Sequence, residues 1–117
     1  MNSILVVDDD PDILDMVRLV LTSHDLNVSC INKGAALLPA ITLTKPDLVL
    51  MDIYLGDADG RKLCNSLKTS SQFSDIPVIL YSAGHIPSAS VKESQADDFL
   101  AKPFDNMELV KKIRSLI

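Results

Sequence analysis

The chain has 117 residues, of which 47% are hydrophobic and 23% charged, with a formal net charge of −5; this length fits one domain, residues 1–117, burying about two thirds of its unfolded surface. No apolar stretch approaches the ~20 residues of a membrane span and no basic segment leads into a signal-peptide core, so no membrane association and a cytoplasmic location are expected. The acidic balance argues against direct nucleic-acid binding by this domain, which would need clustered Lys and Arg.

Along the chain a strand followed by a helix recurs five times. The run Ile4-Leu5-Val6-Val7 predicts a strand over about 3–8, and Ile13, Leu14, Val17, Val20 and Leu21 recur at helical spacing over about 11–24. A more polar strand over about 26–32, with Asn27, Ser29 and Asn32, suits a sheet edge. The next helix, about 34–44, contains Pro39, which removes a hydrogen bond and kinks the helix or delays its start. A third strand at about 47–52 leads through Gly56 and Gly60 to a helix near 60–70, and a fourth at about 77–82 opens at Pro77. His85–Gln95 holds Pro87, Ser88, Ser90 and Ser94 and few strong helix formers, so a short or mobile fourth helix is expected. A strand at about 97–102 and a helix capped by Asp105, with Met107, Leu109, Val110, Ile113 and Leu116 on its apolar side, complete the pattern.

Short, branched apolar runs alternating with helices read as parallel strands buried on both faces. Their carboxyl ends line one edge of the sheet, where open α/β folds bind ligands. Four of these runs end in Asp8-Asp9, Asp52, Ser82 and Lys102. Three carboxylates, a hydroxyl and an ammonium should therefore meet in one crevice.

Aspartate outnumbers glutamate fourteen to two, which points to caps, turns and ligand positions rather than helix interiors. Asp10, Pro11 and Asp12 are accounted for as a helix start. Asp8 and Asp9 precede that cap, and adjacent carboxylates there repel unless a cation such as Mg²⁺ is bound. Asp52, at the mouth of a central strand, reads either as a further metal ligand or as a nucleophile that accepts a phosphoryl group. Lys102, held extended by Pro103, and the Ser82 hydroxyl are suited to phosphoryl oxygens. Asp57-Ala58-Asp59-Gly60 resembles part of a calcium loop, but Leu55 and Ser66 occupy ligand positions of that pattern, and a turn capping a helix at Asp59 or Gly60 is expected instead. Cys30 and Cys64 lack metal-ligand spacing and read as buried, reduced thiols. Lys111, Lys112 and Arg114 read as cations placed at a helix C-terminus.

Val6-Val7-Asp8-Asp9, Pro46-Asp47-Leu48-Val49-Leu50-Met51-Asp52 with Asp59-Gly60, Pro77-Val78-Ile79 leading to Ser82-Ala83, and Lys102-Pro103-Phe104 together resemble the receiver domains of two-component response regulators, along the whole chain. The resemblance implies a flavodoxin-like α/β fold, a doubly wound five-stranded parallel sheet of order 2-1-3-4-5 with five helices. It implies phosphorylation of Asp52 by a histidine kinase or phosphotransfer protein, with Mg²⁺ bound by Asp9, Asp52 and the Tyr54 backbone carbonyl, and by Asp8 through water. It also makes Ser82 the switch hydroxyl, Lys102 the phosphate's partner and Phe99 the aromatic position whose rotamer tracks activation, although Phe99 reads equally well as a core residue. The surface of helix four, strand five and helix five would form a homodimer or meet a partner. By comparison with the family pattern, Gly56 replaces a frequent proline and should loosen its loop. Gln95 stands where glycine is common, and the proline in helix two is unusual. The chain ends just after helix five, as expected of a stand-alone receiver or of a piece of a larger regulator or hybrid kinase.

Two other readings use the same groups. A Mg²⁺-dependent aspartate-nucleophile phosphatase usually carries a second aspartate where Tyr54 stands, and a cap for which this chain has no room. A pseudo-receiver, binding partners without phosphotransfer, would not need the intact set of acids, Ser82 and Lys102.

Overall fold

A computed structural model describes residues 2–84 and 86–117. The elements in order are β1 (Ser3–Val7), α1 (Pro11–Ser23), β2 (Asn27–Ile31), α2 (Leu37–Thr44), β3 (Leu48–Asp52), α3 (Gly60–Lys68), β4 (Val78–Ser82), α4 (Ser88–Ser94), β5 (Asp98–Ala101) and α5 (Asn106–Leu116). The five strands form one sheet in the order β2-β1-β3-β4-β5, and every pairing is parallel. This is the flavodoxin-like arrangement expected from the sequence.

Side chains alternate across each strand, which sorts the core into two layers. Ile4, Val6, Leu48, Leu50, Ile79 and Tyr81 face α1 and α5, meeting Val17, Leu21, Leu109 and Ile113. Leu5, Val7, Val49, Met51, Val78 and Leu80 face the other way, toward Leu37 and Ile41 of α2 and Cys64 and Leu67 of α3. With β1, β3 and β4 covered on both faces, their backbones are rigid supports for whatever follows their last residues. β2, at the edge, is only partly buried, in keeping with its polar composition.

The helix boundaries follow local chemistry. Asp10, Asp59 and Asp105 each cap a helix by accepting the N–H two residues on, at 2.9, 2.9 and 2.7 Å. Pro39 delays α2: a single 3₁₀ turn over Gly34–Ala36 precedes it, so that Pro39 falls in the first turn, where no intrahelical N–H bond is lost. α4 is short and has no side-chain cap; of the weak segment expected here, His85 lies outside the described residues. Gln95 ends α4 at φ 65°, a left-handed position that favours glycine.

Three features differ from expectation. The loop after β3 forms a two-stranded antiparallel ribbon, Tyr54–Leu55 against Ala58–Asp59, whose few residues carry no strand-length apolar pattern. Cys64 is buried, its thiol pushed up to about 11 by burial, but Cys30, on the edge strand, is only half-buried. The basic residues of α5 also do more than offset the helix dipole: Lys112 pairs with Asp98 at 3.0 Å, and Arg114 donates to the His24 carbonyl at 2.6 Å. Among the described residues no helix is long and apolar enough to cross a membrane.

Candidate functional site

The chain reverses its direction of sheet growth between β1 and β3, and the carboxyl ends of those neighbouring strands open a crevice at this switch point. Asp8 and Asp9 follow β1, and Asp52 is the last residue of β3. One carboxylate oxygen from each of the three lies within 4.8 Å of the other two. Asp8 is fully buried, Asp52 nearly so and Asp9 exposed.

Lys102, just beyond β5, extends its Nζ into this cluster, 3.3 Å from Oδ2 of Asp8 and 3.3 Å from Oδ2 of Asp52. Both distances exceed the 2.7–2.9 Å typical of a charge-assisted bond, so the ammonium is shared between two acids rather than committed to one. The Asp8 carboxylate is further held by the Asp10 N–H on Oδ1 at 2.9 Å and the Tyr81 hydroxyl on Oδ2 at 2.6 Å. The Asp52 carboxylate accepts the Tyr54 N–H at 3.1 Å. Burial raises the Asp52 carboxyl above the ordinary carboxylate range; the Tyr54 N–H opposes this, Asp8 adds to it and Lys102 opposes it.

Among the described residues, three carboxylates meet one ammonium here, a surplus of two formal negative charges. Hard oxygen donors with that surplus fit a divalent cation of the Mg²⁺ type, which keeps several waters and needs few protein ligands.

The other expected site residues lie on β4, on β5 and in the loop after β3. Ser82 closes β4 fully buried, its Oγ accepting the Gly84 N–H at 3.4 Å. Tyr54 begins the ribbon after β3 and is 55% exposed, and the Arg61 guanidinium lies 5.8 Å from its ring centroid. Phe99 is half-buried in β5 and packs on the α2 and α3 layer. Gly60 brings the α3 start against β3: its N–H donates to the Ile53 carbonyl at 2.7 Å, and a Cβ there would sit 3.0 Å from Ile53 Cα and closer still to the Asp52 carbonyl oxygen. Only glycine permits that approach.

Sequence reasoning missed Tyr81 and Asp57. Tyr81 is fully buried beneath the cluster, with Lys102 Nζ 4.7 Å from its ring centroid and the Phe104 ring edge-on at 5.9 Å. The available signal was a hydroxyl inside an otherwise aliphatic strand, since buried tyrosines seek a partner for the O–H. Asp57, in the ribbon turn, accepts the Gly34 and Ala35 amides at 2.9 and 3.0 Å; nothing local to Asp57 announces it.

An open α/β sheet with three carboxylates and a lysine gathered at its switch point places this chain among the doubly wound α/β proteins, which bind ligands in that crevice. Within that class, the sequence profile of the response regulator receiver domain matches residues 4–114, and the chain belongs to this family of two-component signalling proteins. It is 35% identical over 114 residues to the DNA-binding response regulator MtrA of Mycolicibacterium smegmatis, covering 96% of this chain and 49% of that protein. The chain thus spans about half the length of the curated relatives it matches. Among solved structures it resembles the BeF3-activated N-terminal receiver domain of Klebsiella pneumoniae RstA, with a TM-score of 0.89, 30% identity and coverage of 98% of this chain and 97% of that one. It also resembles the signal receiver domain of a signal transduction histidine kinase from Syntrophus aciditrophicus, with a TM-score of 0.93, 29% identity and coverage of 99% and 89%.

Proposed function

We propose that residues 1–117 act as one receiver domain in which Asp52 accepts a phosphoryl group from a histidine kinase or phosphotransfer protein. The observation that carries this reading is the Lys102 ammonium held midway between Asp8 and Asp52, 3.3 Å from each. Such an ammonium can move onto a phosphoryl oxygen without leaving either acid far behind.

In this reading an Asp52 carboxylate oxygen attacks phosphorus. A P–O bond forms, the bond to the donor's imidazole nitrogen breaks, and that nitrogen keeps the bonding electrons. Positioning and charge neutralisation do most of the work. Mg²⁺ would be held by Asp9, Asp52 and the Tyr54 carbonyl, and by Asp8 through water, and when bound it supplies positive charge to the phosphoryl oxygens. Lys102 supplies further positive charge, and the Ser82 hydroxyl donates to one phosphoryl oxygen. The added charge at Asp52 draws Ser82 and Lys102 inward and, with Phe99, repacks the surface of α4, β5 and α5. That surface is the proposed homodimer or partner contact. The domain works in the cytoplasm, as a switch rather than an enzyme, and makes no nucleic-acid contact of its own.

Intact mass after incubation with Mg²⁺ and a small acyl-phosphate donor tests this. One added phosphate, lost in Asp52→Ala and in the absence of Mg²⁺, is expected. No adduct, with Mg²⁺ binding verified and decay during workup excluded, would overturn it in favour of a binding module. Donor turnover without an adduct would overturn it in favour of a phosphatase.

A further inference from the structure

Beneath the carboxylate cluster lies a polar group that the proposed chemistry does not use: the phenol of Tyr81. It occupies the penultimate position of β4, opposite Asp52 in the parallel register, and is wholly enclosed by the α1 and α5 layer. Its hydroxyl donates to Asp8 Oδ2 at 2.6 Å, from 73 positions away. The same oxygen is one of the two that hold Lys102. Asp8 therefore receives three donors: the Asp10 N–H on Oδ1, and the Tyr81 hydroxyl and Lys102 ammonium on Oδ2. It is a buried carboxylate whose orientation is set from three sides.

We propose that Tyr81 is a positioning residue of the metal and phosphoryl site, acting through Asp8 on Lys102. The inference rests on the reading of Asp52 as phosphoacceptor. A buried carboxylate oxygen needs its donors. With the hydroxyl satisfying part of Oδ2, the ammonium is not drawn fully onto Asp8 and stays available to Asp52. Without it, Lys102 is the only remaining donor to Asp8 Oδ2 among the described residues. The ammonium then closes on Asp8, withdraws from Asp52 and competes with a divalent cation for the Asp8 charge. The Tyr81 ring contributes separately: it lies beneath the ammonium and against Phe104, so both ring contacts survive when only the hydroxyl is removed. Tyr81→Phe is thus a clean removal of one donor.

The test compares wild type, Tyr81→Phe, Asp8→Asn and the double variant. Calorimetry gives Mg²⁺ affinity, and acyl-phosphate labelling at saturating Mg²⁺ gives the rate of phosphorylation. Tyr81→Phe is expected to weaken Mg²⁺ binding on the order of tenfold, as loss of an outer-sphere partner does, and to slow phosphorylation. Both effects should disappear when Asp8 is already Asn, because the hydroxyl then has no charge to orient. Thermal melts establish that each variant is folded under assay conditions. Mg²⁺ affinity and labelling rate in folded Tyr81→Phe within about twofold of wild type would overturn the inference, as would the same loss persisting in the Asp8→Asn background. Wild type that is never labelled on Asp52 would instead overturn the phosphoacceptor reading on which the inference stands.

Discussion

The carboxylate of Asp57 accepts the backbone N–H of Gly34 at 2.9 Å across 23 positions, fastening the ribbon after β3 to the turn that opens α2. The neighbouring Ala35 N–H joins it at 3.0 Å. Gly34 permits this approach because a Cβ there would lie 2.8 Å from Ala58 Cβ and from Leu63 Cδ1. The ribbon begins at Tyr54, whose N–H holds Asp52, so the clamp bears on the walls of the crevice.

The two amides hold the Asp57 carboxyl below the ordinary carboxylate range. A depressed folded pKa means that the clamp's stabilisation is present above the unfolded value of about 3.9 and is lost only as pH falls through the lower folded value. Amide exchange read by NMR should show Gly34 and Ala35 protected down to acid pH in wild type. In Asp57→Ala the same amides should exchange faster at every pH, with β1 and β3 unaffected. Equal protection in the two proteins would dismiss the clamp.

Asp52 has the opposite sign. Its carboxyl is raised by burial, so the folded state binds its proton more tightly than the unfolded chain does. Stability is then lost as pH rises from the unfolded pKa through the folded one, and the penalty is complete above both. In Mg²⁺-free melts Asp52→Asn should melt higher than wild type near neutral pH, and the gap should close as pH falls toward about 3. A gap that widens on acidification would contradict this.

Gln95 holds a left-handed backbone at φ 65° where its side chain costs energy that glycine avoids. Part of the gain from glycine is cancelled by its greater freedom in the unfolded chain. Gln95→Gly should stabilise the fold by about 0.5–1 kcal/mol, a rise of a few degrees in Tm. A lower Tm would show that the Gln95 side chain contributes something its backbone geometry does not reveal.

Tyr54 stands next to the site with its ring below the Arg61 guanidinium, itself fastened to Asp59 at 2.8 Å. On the Gly84 side, a Cβ at that glycine would be only 3.8 Å from Tyr54 Cε2. A ring held between these neighbours can keep water from an acyl phosphate on Asp52. Tyr54→Ala should shorten the phosphoryl lifetime several-fold, measured as decay of the labelled protein after donor removal. An unchanged lifetime would remove Tyr54 from that role.

The candidate site residues were legible to the extent that they lie at strand ends. Asp8, Asp52 and Lys102 each terminate an apolar run, and the parallel reading of those runs was enough to bring them to one edge. Pro39 delaying α2, and Asp59 and Asp105 as caps, were legible for the same reason: each depends on residues within one turn. The Arg114 contact to His24 and the partial exposure of Cys30 were not, because they depend on which elements become neighbours and which strand becomes an edge.

Hydrophobic period and capping chemistry are local, and from them the sequence by itself determined the alternation of strands and helices and the inventory of groups at the strand ends. Only the tertiary structure decided how those groups share their bonds. The Tyr81 hydroxyl reaches Asp8, Lys102 lies between Asp8 and Asp52, and Asp57 spans to Gly34 across separations of 73, 94, 50 and 23 positions. Such pairings are set by strand register and by the direction a side chain takes from a buried backbone. An apolar pattern specifies that a residue faces inward, but not which polar atom it will meet there.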